Sequence, residues 1–335
     1  MRCNAAWQQS SRRRTVGLTD EQHADGYRDG VALWAAATDR AKTEAVARGA
    51  NSGALLRQFV NDRFLARVFH APDAPWVLKG GTAVLARVDD ARTTKDVDLL
   101  GELDDIDVAL GRLRSAAAVD LGDHFRFIIT GHDRTVVGTG QPHVDGYRVH
   151  VDAYCGAVKR HTFGVDLVTG SLMTTAPDVQ TPTPALNLRG LIPPTLRLYP
   201  VVDHIADKLC ATQSTYGAAG DRPSSRVRDL VDLVVFARSQ DVDGDALINA
   251  IRAKWNHQGL AGDPLFDPPV HWRRLYPPLA RTVRKCEGLT TFPSAVELVG
   301  RFLGPAPDES AAGRRWSFDL ARWEPGKEVH ATENP

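Results

Sequence analysis

The chain has 335 residues, 43% of them hydrophobic, enough for two packed domains, since single cores rarely grow past about 250 residues. Lys plus Arg and Asp plus Glu each number 41, so no net field draws the protein to nucleic acid, and any such binding must rest on a local patch. Cys3, Cys155, Cys210 and Cys286 lie far apart with no CxxC pair, which excludes zinc fingers and disulfide frameworks, and no apolar run reaches the roughly 18 residues of a membrane span. A soluble chain in a reducing cytoplasm is expected.

The first stretch, with its Arg12-Arg13-Arg14 run, has no periodicity and reads as a mobile tail, so residues 1–50 are expected to be a partly disordered N-terminal extension. From Ser52 to Phe69, Leu55, Leu56, Phe59, Val60, Leu65, Val68 and Phe69 recur at helical spacing, with Ser52 as N-cap and Pro72 and Pro75 beyond the end. Trp76-Val77-Leu78 predicts a short buried strand running into Gly80-Gly81-Thr82, and a helix opens at Ala83. A second strand follows at Val97-Asp98-Leu99-Leu100, then a helix over Asp104 to Ala117. Strand-like runs come next at Phe125 to Thr130, Arg134 to Val137, Tyr147 to Tyr154 and Thr162 to Val168. Residues 51–175 therefore read as an α/β (α+β) domain with a mixed sheet. Six prolines near residues 176–200 mark a candidate linker, and the apolar spacing over 201–335 is helical throughout.

The chemistry is concentrated in two places. Gly80 and Gly81 let backbone come close to a ligand, and Thr82 at a helix N-terminus offers donors to phosphate oxygens, although a Gly-Gly turn is also a common structural joint. On a strand, Asp96 and Asp98 point to the same face, so their carboxylates stand side by side and suit a hard cation such as Mg2+, or Mn2+. Asp152 ends the alternating run from Tyr147, whose Val149 and Val151 face the core, so it lies on the opposite, candidate metal-binding face.

With these blocks in view the chain resembles the AbiEii/AbiGii-type nucleotidyltransferases of bacterial abortive-infection and toxin–antitoxin systems, which include the MenT-like toxins. The resemblance runs from the helix at Leu55 through Lys79-Gly80-Gly81-Thr82 and is sharpest at Arg92-Thr93-Thr94-Lys95-Asp96-Val97-Asp98-Leu99. It continues at Asp203 to Ala211, similar to the family's Lys-Leu-x-Ala helix, and at Arg228-Asp229-Leu230-Val231-Asp232-Leu233. Thr82 stands where the family usually has serine, and thirteen residues separate it from Asp96.

The resemblance implies a nucleotidyltransferase fold in the first domain and a helical second domain that completes the active site. It implies Asp96, Asp98 and Asp152 as metal ligands, Lys208 as a phosphate-binding cation, and Asp229 as an active-site acid. Lys79, Gly80, Gly81, Thr82, Arg92 and Lys208 would bind the nucleotide. It also implies transfer of a nucleotide, expected to be a pyrimidine, from an NTP to the 3′ end of tRNA, with a cognate antitoxin as partner. For the acceptor, Lys159-Arg160-His161, Arg222, Arg226, Arg228 and Arg273-Arg274 with Trp272 and Tyr276 are the candidate phosphate-tracking and stacking residues. The alternatives are a small-molecule nucleotidyltransferase using the same carboxylates, and a non-catalytic NTP sensor.

Overall fold

The computed structural model describes residues 26–88, 91–92, 94–134, 145–216 and 222–326. Helix α1 (Gly30–Arg48) starts on Asp29, whose carboxylate accepts the Ala32 amide, and stops at Gly49, where φ is 63° and a side chain would be strained. Helix α2 (Ser52–Val68) is capped by the Asn51 side chain, one residue earlier than expected. Part of the N-terminal extension is thus a packed helix rather than disordered chain: Leu33, Ala37 and Ala41 of α1 repeat every four residues and are fully buried. Two of those three positions are alanine, too weakly apolar to stand out in the sequence. The Arg12–Arg14 run lies outside the described residues.

The main sheet is mixed and seven-stranded, in the order β3-β4-β5-β2-β1-β7-β6. Its members are β1 (Trp76–Lys79), β2 (Val97–Gly101), β3 (Phe125–Arg134), β4 (Asp145–Cys155), β5 (Val158–Thr169), β6 (Asp178–Gln180) and β7 (Leu196–Leu198). Strand β1 lies antiparallel to β2 and parallel to β7, β2 lies parallel to β5, and β3, β4 and β5 form an antiparallel meander. Alternation sends Val149, Val151 and Ala153 of β4 into a core beneath α1, α2 and α4 (Ile106–Ala117), while Arg148, His150 and Asp152 take the other face. The strand expected at 134–137 falls, beyond Arg134, outside the described residues.

The proline-rich segment is not a linker. It supplies β6 and β7, and its prolines at 177, 182, 184, 193, 194 and 200 flank these strands without interrupting them, so no ladder amide is lost.

A second core is built from α5 (Val201–Gln213), α6 (Val227–Ala237), α7 (Gly244–His257), α8 (Trp272–Ala280) and α9 (Phe292–Leu303). A short hairpin of β8 (Thr215–Tyr216) and β9 (Arg222–Pro223) and a small sheet of β10 (Val242–Asp243), β11 (Arg314–Ser317) and β12 (Arg322–Pro325) complete it. Helix α3 (Gly80–Arg87), which follows the glycine turn, belongs to both halves: Ala83 packs in the first core and Val84 in the second. The expected class, a mixed α/β domain followed by a mainly helical one, is the architecture adopted, and α3 is the element the two halves share. Among the described residues no helix is long and apolar enough to cross a membrane.

Candidate active site

Four neighbouring strands bring four charged residues into one row. Register places Lys79 of β1 against Asp98 of β2, Asp98 against Asp166 of β5, and Asp166 against Arg148 of β4. Residues directly opposite one another share a face of the sheet, so the row reads plus, minus, minus, plus. Asp96 precedes β2 by one residue, and its carboxylate reaches the same Arg148 guanidinium as Asp166 does. Burial and then the neighbouring Asp166 carboxylate push the Asp98 carboxyl up to about 6, with Lys79 and Lys208 opposing. Arg148 donates one nitrogen to Asp166 at 2.7 Å and the other to Asp96.

The glycine turn fits tightly against this row. Gly80 has φ 58°, and a Cβ there would overlap the Asp98 carboxylate, so both its conformation and the space around it require glycine. The Thr82 hydroxyl donates to the Asp96 carbonyl at 2.8 Å, and Thr94 donates to the same oxygen at 3.3 Å. Thr82 therefore positions the acidic segment. Lys79 donates to the Ser171 hydroxyl at 3.1 Å and lies 4.3 Å above the Tyr199 ring, and burial holds its ammonium below the usual lysine range.

A second cluster comes from the helices. Lys208 of α5 donates to Asp229 at 3.0 Å and to Asp232 at 2.6 Å, both on α6. Arg92 holds Asp232 with two nitrogens at 2.7 and 2.8 Å, and Arg226 reaches Asp229 at 2.7 Å. Lys208, Asp229 and Asp232 are all buried. Burial raises the Asp229 carboxyl, but Lys208 and Arg226 outweigh that and leave it below its ordinary value. The geometry thus gathers Lys79, Gly80, Gly81, Thr82, Arg92, Asp96, Asp98, Lys208 and Asp229 around one region.

Asp152 is not among them. It shares the sheet face as expected, but register pairs it with Thr162, four residues along β5 from Asp166, or about 13 Å at strand rise. There it accepts from Thr162 and pairs with Lys159, both at 2.7 Å. Asp166, not Asp152, stands beside Asp98. A signal for it was present: Val165-Asp166-Leu167 repeats Val97-Asp98-Leu99, and the two triplets lie in register. Nothing in the local sequence pattern marks Arg148 or Gly164, which the pairing of β4 with β5 brings to the same place.

The expected stacking rings are core residues. Trp272 and Tyr276 are fully buried, donating to the Ser224 and Leu289 carbonyls, and Arg160 lies over the Trp34 ring. Arg222, Arg226, Arg228, Arg273 and Arg274 are exposed. The Trp272–Ser224 bond joins the start of α8 to the segment that leads into Asp229.

Asp96, Asp98 and Asp166 offer hard oxygen donors of the kind Mg2+ takes, and burial first, then the Asp166 carboxylate, raises the Asp98 carboxyl. The donor chemistry therefore fits such an ion. Among the described residues no three Asp, Glu, His or Cys side chains already stand in the tight cluster of a metal ligand set. Here the guanidinium of Arg148 lies between two of the carboxylates.

A glycine turn that opens a helix against a carboxylate-bearing strand, with a helix-borne lysine nearby, is a layout suited to moving nucleotidyl groups. Residues 63–309 match the family described as nucleotidyl transferase AbiEii toxin of type IV toxin–antitoxin systems. The chain belongs to the AbiEii nucleotidyltransferase toxin family, and it is a transferase. Among solved structures, it is similar to the nucleotidyltransferase toxin MenT4 from Mycobacterium tuberculosis H37Rv, at 20% identity over 65% of this chain and 68% of that one, TM-score 0.43. It is also similar to a putative nucleotidyltransferase from H. pylori, at 18% identity over 77% of this chain and 96% of that one, TM-score 0.42. No curated protein matches the chain.

Proposed function

We propose that this enzyme moves a nucleoside monophosphate, from a pyrimidine NTP, onto the 3′ end of tRNA, so that translation stops unless a cognate antitoxin restrains it. The observation that carries the chemistry is the row Lys79-Asp98-Asp166-Arg148 beside Asp96, with Lys208 facing it. Asp96, Asp98 and Asp166 would hold Mg2+, or Mn2+, which supplies charge neutralisation at the phosphates and lowers the barrier to in-line displacement.

The chain's own residues do the rest. The amides of the Gly80-Gly81 turn, at the N-terminus of α3, meet phosphate oxygens, and Lys79 and Lys208 stand close enough to Asp98 to offset the charge gathered there. The acceptor hydroxyl oxygen forms a bond to the α-phosphorus as the α–β phosphoanhydride bond breaks, pyrophosphate leaves, and the hydroxyl proton passes to a carboxylate. Asp229 is poorly suited to that base role, because Lys208 and Arg226 hold its carboxylate below its ordinary pKa. The exposed arginines at 222, 226, 228, 273 and 274 favour a polyanionic acceptor.

The test is incubation of the protein with α-phosphate-labelled NTPs and deacylated tRNA. Label should enter the tRNA 3′ end, with one nucleotide preferred, and affinity should fall by about a decade or more between roughly 50 and 200 mM salt. Replacing Arg273 and Arg274 together should flatten that slope. Label in an aminoglycoside and in no RNA would replace this assignment with a small-molecule acceptor.

A further inference from the structure

Arg148 is held in place by a gap in the neighbouring strand. On the shared face of β5, Gly164 lies two residues before Asp166 and opposite Asp96's end of β2, and the Arg148 guanidinium lies directly over it. A Cβ at residue 164 would overlap that guanidinium, and Gly164 does not have the positive φ that would call for glycine on backbone grounds. What glycine supplies here is room for the arginine. The arginine is also a surface side chain, about one-third exposed (33%), and so are its partners Asp96 (39%) and Asp166 (37%), so it is free to leave without opening a core.

The two carboxylates it bridges are two of the three assigned above to the divalent ion. A guanidinium between those oxygens and a divalent ion on the same oxygens repel each other at a few ångströms, so one displaces the other. We propose that Arg148 is a built-in counter-cation that competes with the divalent metal for Asp96 and Asp166 and thereby sets the metal affinity of the enzyme, a role that rests on the metal site of the preceding section. Displaced from the carboxylates, the guanidinium finds its natural partner in the phosphate oxygens of an incoming NTP. Metal therefore binds weakly to the enzyme alone and more tightly together with nucleotide.

The experiment measures Mn2+ binding to the full chain by titration calorimetry and electron paramagnetic resonance, with and without a non-hydrolysable NTP analogue. Arg148→Met removes the competing charge. Gly164→Ala keeps the charge but expels it from its seat, and the three nearest atoms its Cβ would meet all belong to the far end of the flexible Arg148 side chain. Each variant, shown by its melting curve to be folded, should bind Mn2+ about tenfold more tightly than the parent without nucleotide. The analogue should strengthen Mn2+ binding to the parent and to Gly164→Ala more than to Arg148→Met. A folded Gly164→Ala and Arg148→Met with unchanged or weaker Mn2+ binding, while Asp98→Asn abolishes it, would overturn the role of Arg148 and leave the metal site intact. Absence of Mn2+ binding to every form, nucleotide or not, would overturn both.

Discussion

Two charged clusters face each other here, and they are built in opposite ways. One cluster, Lys208, Asp229 and Asp232 on the helices with Arg92 reaching in from the segment before β2, is closed, each carboxylate buried and held by at least two cations. The sheet-borne one is more open, with Asp96 and Asp166 each more than a third exposed, while burial, and then the Asp166 carboxylate, raises the Asp98 carboxyl to about 6. The contrast fits the two jobs proposed above, with the closed cluster fixing the direction of Lys208 and the more open one proposed to take the divalent ion.

The largest expected effect comes from breaking the open cluster. Asp98→Asn should lower nucleotide transfer by on the order of a thousandfold or more, because a central oxygen ligand and its charge are lost. Its effect on folding should have the opposite sign. A carboxyl whose folded pKa is raised contributes stability below its unfolded pKa and loses it as pH rises through the folded value, here between about pH 4 and pH 6. Without metal, Asp98→Asn should therefore melt no lower than the parent at pH 8, and higher by on the order of 1–2 kcal/mol after allowance for solvent screening. Melting curves in a chelator across this pH range check it, and a destabilised variant would mean that the carboxylate is well compensated after all.

The closed cluster should respond the other way. Asp232→Ala leaves Lys208 and Arg92 facing each other with one carboxylate fewer, and should cost about 3–5 kcal/mol of stability, whereas Asp96→Ala, in the open cluster, should cost about 1 kcal/mol or less. Denaturant titrations of the two variants side by side measure the difference. Equal losses would erase the distinction between the clusters.

The parts of this site that follow from local rules were legible in the sequence. A glycine pair between strand and helix, and two carboxylates at i and i+2, need only the period of a strand, and those elements form where the periodicity puts them. The helix that carries Lys208 was also visible from its apolar spacing. What was not legible depends on register. Asp152 and Asp166 both sit in apolar alternations on neighbouring strands, and only the parallel pairing of β2 with β5 decides which stands beside Asp98. The seat for Arg148 is legible only once Gly164 is known to lie beneath it. The α1 stripe is hidden in the sequence because alanine carries little apolar signal, and the proline-rich strands because proline content points to a linker while the residues between the prolines pair with the sheet.

The assignment of Asp166 in place of Asp152 is therefore the central claim, and one paired assay tests it. Asp166→Asn and Asp152→Asn are compared with the parent for incorporation of α-phosphate-labelled nucleotide and for Mn2+ binding in the presence of an NTP analogue. Asp166→Asn should lose on the order of a hundredfold or more in transfer and should bind Mn2+ more weakly, as expected for a lost ligand. Asp152→Asn, which gives up only a bond to Thr162 and an exposed pair with Lys159, should stay within about threefold of the parent in both. The reverse pattern, with Asp152→Asn inactive and Asp166→Asn near the parent, would contradict the account.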